Sequence, residues 1–223
     1  MLALILIAAL DSAPHSAAAG LSAPGPGTYH YKAYMKNKEV GNSTITIVRT
    51  ATGTKVDERS SVDLSAGDSR AQTSMLFDDK LMLAGYHGHY EIAEQTMDAN
   101  VALADRSATV TAGKDKKTVL LGGTSKGFIV LDAAMVAGFV MLPAQMHALG
   151  NGDTTVLVPG TGESSFIDVI PDNKIARPAD VPATDVSMSF AGPSPFVEWY
   201  DPQTFVVDEI VIPGQDLIVK RQP

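Results

Sequence analysis

The chain has no cysteine among its 223 residues, which excludes disulfides, thiol catalysis and every cysteine-ligated zinc or iron–sulfur site. Charge is sparse and unbalanced: 17 basic residues face 25 acidic ones, for a formal net charge of −8. Phosphate recognition requires a concentrated basic surface, so this balance argues against a nucleic-acid partner. The nearest basic cluster, Lys114, Lys116 and Lys117, is interrupted by Asp115 and reads as a solvated hairpin tip. Tryptophan occurs once, as Trp199. Long apolar runs are missing too. No segment reaches the roughly 18 uninterrupted apolar residues of a spanning helix, and the sequence therefore predicts no transmembrane span.

What is present is enough apolar material for a core. Hydrophobic residues make up 45% of the chain, and a domain of this length can stand on such a core without covalent staples. At the amino terminus Leu2 to Leu10 form an apolar run too short to cross a bilayer. Small residues follow, and Ala17-Ala18-Ala19 fits a signal-peptidase site, although no Lys or Arg precedes the run. The pattern predicts a signal peptide over residues 1–19, a flexible leader over 20–27, and a single β-rich domain over 28–223. A periplasmic or secreted location follows from it.

From Thr28 onward short β-branched and aromatic runs alternate with turn clusters, the rhythm of antiparallel sheets. Tyr29, Tyr31, Ala33 and Met35 fall on one face of a first strand. Reversals are expected at Asn37-Lys38, Thr52-Gly53, Asp78-Asp79 and Gly113–Lys116, where Gly, Asn or Asp tolerate the required backbone angles. The stretch Arg177–Pro182 reads as a loop or extended edge, because proline cannot donate to a ladder.

One segment breaks the rhythm. Residues 132–149 are mostly good helix formers, with Asp132 a candidate N-cap, Gly150-Asn151-Gly152 a stop and Pro143 an expected kink. Only Gln145 and His147 are polar within it, and a helix apolar on all sides has to be enclosed. A flat sheet touches one side of a helix. The expected fold is therefore mainly β, a curved antiparallel sheet forming an incomplete barrel or clamshell around one apolar helix.

Candidate chemistry is thin. Gly123-Thr124-Ser125-Lys126-Gly127 matches the G-x-S-x-G nucleophile pattern, but that pattern needs a helix directly after the serine and a histidine near the carboxyl end. The only downstream histidine is His147, inside the expected helix. His87 and His89 lie at i and i+2 on one strand face and are candidate metal ligands, with His30, Glu91 or Glu94 as a third. The acidic residues Glu198, Asp201, Asp208 and Glu209 read as solvated strand faces and a turn. Methionine adapts to irregular apolar surfaces and also fills ordinary cores. The candidate ligand-lining residues are Met135, Phe139, Met141 and Met146, together with Trp199.

The opening Tyr29-His-Tyr-Lys-Ala-Tyr34 with Val40-Gly41, and the closing Phe196-Val-Glu-Trp199-Tyr-Asp201-Pro202, resemble segments of certain uncharacterised bacterial envelope proteins. Their architecture is similar to the half-barrel of lipoprotein carriers, in which a curved sheet and helix enclose an apolar groove. The resemblance implies a fold and supplies no catalytic motif. The leading expectation is an exported, non-enzymatic protein that holds a lipid or other apolar small molecule between sheet and helix. It calls for no cofactor. A metal- or serine-dependent hydrolase and a partner-binding envelope module are the alternatives.

Overall fold

In a computed structural model, the structure describes residues 23–223 apart from 65–66, 94, 133–134, 151 and 171–174. The expected signal peptide lies outside the described residues, as does Glu94. The described end of the expected leader is tied down: Ala23 is buried, and the Tyr29 hydroxyl donates to the Gly25 carbonyl at 2.8 Å.

The described residues fold into one open sheet of 15 strands. The first arm is an eight-strand meander: β1 (Gly27–Met35), β2 (Lys38–Thr50), β3 (Gly53–Leu64), β4 (Gly67–Phe77), β5 (Leu83–Ile92), β6 (Gln95–Ala104), β7 (Ser107–Ala112) and β8 (Asp115–Leu120). Next come β9 (Phe128–Val130), the helix α1 (Ala137–Leu149) and β10 (Thr154–Val158). The second arm runs through β11 (Glu163–Ile170), β12 (Val186–Ala191), β13 (Phe196–Tyr200) and β14 (Val207–Ile212), and ends, after a 3-10 turn at Pro213–Gln215, in β15 (Leu217–Arg221). The arms join where β1 pairs β15 antiparallel, Tyr31 opposite Arg221 and Met35 opposite Leu217. The connection through α1 makes β9 and β10 parallel, as a crossover requires.

Strand alternation sets which side chains face inward. Tyr31, Ile45, Val56, Met75 and Ala99 are inward and essentially inaccessible. Their outward neighbours form a polar face, with Thr46, Asp57, Ser74, His87 and Asn100 in cross-strand register. The sheet curls around α1, which touches β3 from one arm and β13 and β14 from the other. The apolar character of α1 is matched by its burial: Val140, Met141, Leu142, Ala144 and Met146 are all buried, on every side of the helix. Gln145, buried among them, donates through Nε2 to the Leu81 carbonyl at 3.3 Å.

Two details of this packing follow from small residues. A Cβ on Gly138 would fall 2.1 Å from the Val130 carbonyl oxygen, so glycine lets α1 lie directly against the end of β9. A Cβ on Gly88 would fall 2.4 Å from the Tyr86 hydroxyl and 2.9 Å from the Tyr90 ring, so the two tyrosines converge over the space it leaves.

The helix starts at Ala137, five residues later than expected, and Asp132 does not cap it. The N-cap position is Val136, whose own side chain makes no cap hydrogen bond. That work is done from the sheet, as described below. Pro143 does lie within the helix, and Gly150 ends it in the left-handed region at φ 81°. Among the described residues no helix is long and apolar enough to cross a membrane.

Candidate functional site: a cavity between the sheet and the first turn of the helix

The curled sheet and α1 leave a cavity of about 330 Å3 beside the helix amino terminus. Tyr31 and Ala33 of β1, Ile210 of β14 and Val219 of β15 form one wall, and Met135 and Phe139 form the facing one. Phe139 meets Phe196 edge-to-face at 5.1 Å, and Phe196 stacks on Phe190 at 4.6 Å, geometries that favour a fixed aromatic wall. The exposed residues Asn42, Ser194 and Gln215 mark the mouth. It lies among the β1–β2, β12–β13 and β14–β15 reversals.

One side of the cavity is polar, and its polarity is built from the sheet. Ser43, Ser60 and Asp132 line it. Behind Ser43 sits Glu58, 2% exposed on the inner face of β3. Its carboxylate accepts hydrogen bonds from the Ser43 hydroxyl at 2.6 Å, the Val136 N–H at 2.7 Å and the Ala137 N–H at 3.0 Å. Glu58 is therefore the cap of α1, satisfying amide donors that a helix start leaves open and placing negative charge at the positive end of the helix dipole. Burial pushes its carboxyl above the ordinary range, and the three donors oppose that shift. Asp132 accepts from the Gly160 N–H at 2.7 Å and from the Tyr90 hydroxyl at 3.3 Å. Tyr90 in turn is hydrogen-bonded to the Tyr86 hydroxyl, which reaches the Met135 sulfur at 3.9 Å. Burial raises both phenols far above their usual range, so they act as neutral donors.

The predicted ligand-lining residues are divided by this geometry. Met135 and Phe139 border the cavity. Met141 and Met146 are fully buried elsewhere along the helix, and the Met146 sulfur accepts from the Thr154 hydroxyl at 3.6 Å. Trp199 lies on the opposite face of β13, clustered with Val181 and Val197 beneath the loop that the prolines of 177–182 predict.

His87 and His89 sit side by side on the outer face of β5. Their Nδ1 atoms are engaged by Asn100 Oδ1 at 2.9 Å and Asp98 Oδ1 at 2.7 Å. Glu91 lies 3.9 Å from His89 Nε2, and His30 bonds the Thr44 hydroxyl instead. Among the described residues no three His, Asp or Glu side chains converge as a metal site. Ser125 is buried; its hydroxyl donates to the Gly127 carbonyl at 3.0 Å and accepts from the Thr155 N–H at 2.9 Å. It stitches the loop after β8 onto β10, and a strand rather than a helix follows it.

Two of the four acidic residues near the carboxyl end, Glu198 and Glu209, are buried instead of solvated, while Asp201 makes the expected turn by accepting from the Gln203 and Thr204 amides. Glu198 is 0% exposed, on the inner face with Phe196, and neither carboxyl oxygen has a hydrogen-bond partner among the described residues. Burial alone pushes its carboxyl well above the usual range. Glu209 is also buried, and pairs with Lys220 at 3.3 Å. Neither Glu58 nor Asp132 reads from sequence as a site residue: Asp132 reads as a helix cap and Glu198 as one of the solvated acidic residues. Glu58 alternates with the buried Val56 and Ser60 on the inner face of β3, a position that strand periodicity marks as inward.

No protein-family model matches the sequence, and no curated protein does. A solved structure, that of a DUF1089 family protein from Pseudomonas aeruginosa, is similar in fold. At 10% identity it superposes with a TM-score of 0.50, covering 78% of this chain and 90% of that one.

Proposed function

We propose that the chain is an exported, non-enzymatic binding protein that holds an apolar or amphipathic ligand between its sheet and α1. The observation that carries this reading is the cavity of about 330 Å3, walled by Ile210, Val219, Met135 and Phe139. Its volume falls at the lower end of the roughly 300–1,000 Å3 typical of small-molecule sites, a size suited to one acyl chain. Each methylene buried there contributes about 0.8 kcal/mol. The sequence resemblance of the opening and closing segments to envelope proteins of half-barrel architecture supports a lipid or other apolar cargo. The amino-terminal pattern of Leu2–Leu10 and Ala17–Ala19 supports export.

The test is titration of the purified protein with an environment-sensitive apolar dye. Dye binding that is lost on filling the mouth with Val62→Trp, at unchanged thermal midpoint, is the expected result; Val62 lines the cavity at a half-buried position. Absence of dye binding, or equal binding by the variant, would overturn the reading. Mass spectrometry of the protein recovered from an envelope fraction tests export, with a mature terminus at Gly20 expected and an intact Met1 terminus refuting it.

A further inference from the structure

The polar side of the cavity specifies which amphiphiles it accepts. Among the described residues, none lining the cavity is Lys, Arg or His, and the charged residue that does line it is acidic, Asp132, 9% exposed. A second carboxyl, that of Glu58, lies one hydrogen bond behind the lining hydroxyl of Ser43. The remaining polar lining is neutral: Asn42, Ser43, Ser60, Ser165, Ser194 and Gln215. A ligand head directed inward therefore meets acceptor oxygens, and one left at the mouth meets Asn42, Ser194 and Gln215. In neither position does an anion find a counter-charge among the described residues, and moving an unpaired carboxylate or phosphate out of water into the inner position is strongly unfavourable, so an anionic head is left only the mouth. Asp132 adds like-charge repulsion in a medium that screens poorly, on a chain whose formal charge is already −8.

We infer that the cavity prefers single-chain amphiphiles whose head donates hydrogen bonds and carries no negative charge, alcohols and amines, and binds fatty acids and lysophospholipid phosphates of the same chain length more weakly, because their heads are confined to the mouth. This rests on the binding function proposed above and narrows it by headgroup. Discrimination of this kind comes from an unfavourable element against the wrong ligand as much as from contacts to the right one.

The experiment displaces a bound apolar dye from the full chain with decanol, decylamine and decanoate at neutral pH, each below its micelle concentration. Decanol and decylamine are expected to displace the dye, with decanoate weaker by at least about ten-fold. Asp132→Asn is expected to narrow the gap between decanoate and decanol. Ser194→Arg places a cation at the exposed mouth, away from the packed interior, and is expected to strengthen decanoate relative to decanol. Decanoate that competes as well as decanol in the unaltered protein, or is no stronger with Ser194→Arg, overturns the headgroup rule and leaves the binding function standing. A dye that never binds overturns both.

Discussion

Glu198 offers a direct measurement of what an unpartnered carboxyl costs this fold. It lies in β13 opposite Met188 and Ile210, with both oxygens buried and unpaired. Such a group costs about 1–3 kcal/mol even when neutral. Glu198→Met keeps much of the volume, removes the polar atoms, and is expected to stabilise the protein by about 2 kcal/mol near pH 4. The folded-state carboxyl is raised, so in the window above the unfolded value of about 4.3 the folded chain holds a proton that the unfolded chain releases. Stability conferred by that proton is complete below the unfolded value and is lost as pH rises towards the folded one. Each pH unit in the window therefore costs the unaltered protein about 1.4 kcal/mol that neither Glu198→Met nor Glu198→Gln loses. Urea unfolding at a series of pH values separates the two effects. Methionine should gain at every pH and increasingly as pH rises; glutamine, which also buries an unsatisfied amide, should gain only through the pH-dependent part. If methionine gives no gain near pH 4 and the difference stays flat to about pH 8, the carboxyl has a partner and the reasoning fails.

Glu58→Ala strands the Val136 and Ala137 amides and the Ser43 hydroxyl, all of which donate to this carboxylate, and is expected to cost about 3 kcal/mol by urea unfolding; Glu58→Gln, which retains an acceptor oxygen, should cost about half as much. Gly138→Ala drives a methyl into the Val130 carbonyl and should destabilise by at least about 2 kcal/mol, readable as a lowered thermal midpoint, whereas ordinary helix propensity alone would make alanine the better residue. Asp185, pushed up to about 7 by burial and by neighbouring Asp208, should contribute a fall in stability as pH rises from about 3.8 to about 7, and Asp185→Asn should remove that part of the slope while leaving the rest.

Strand positions and the enclosed helix were legible because both rest on local periodicity. Tyr31, Ala33 and Met35 do share the inner face of β1, and the expected reversal near Asn37 is made by Lys36 and Asn37 in the left-handed region, at φ 49° and 65°. Strands that owe their existence to neighbours were not. Gln95–Ala104 contains Asp98, Ala99, Asn100 and Ala102, a poor β composition, yet it is held by ladders on both sides. β14 begins later than its hydrophobic pattern suggests because Asp201 Oδ1 captures the Gln203 and Thr204 amides in a turn. Trp199 was misplaced for a related reason: β13 is buried on both faces, so alternation could not say which of Glu198 and Trp199 pointed at the helix. The cap was illegible for a different one. Glu58 and Val136 are 78 residues apart, and no local capping pattern reports a partner contributed by a distant strand.

The pairing of β1 with β15 joins residues as far apart as Tyr31 and Arg221, while the other neighbouring strands are consecutive in the chain, β9 and β10 spanned by one helix. Each arm can therefore zip from its own hairpins with short loop closures, but the seam between them cannot form until nearly the whole chain has been brought round. Since the greasy interior of either arm is covered only once that seam shuts, the slow step of folding should be the one that leaves a half-open shell, and the species most prone to stick to other molecules should be the chain with its first and last strands still apart.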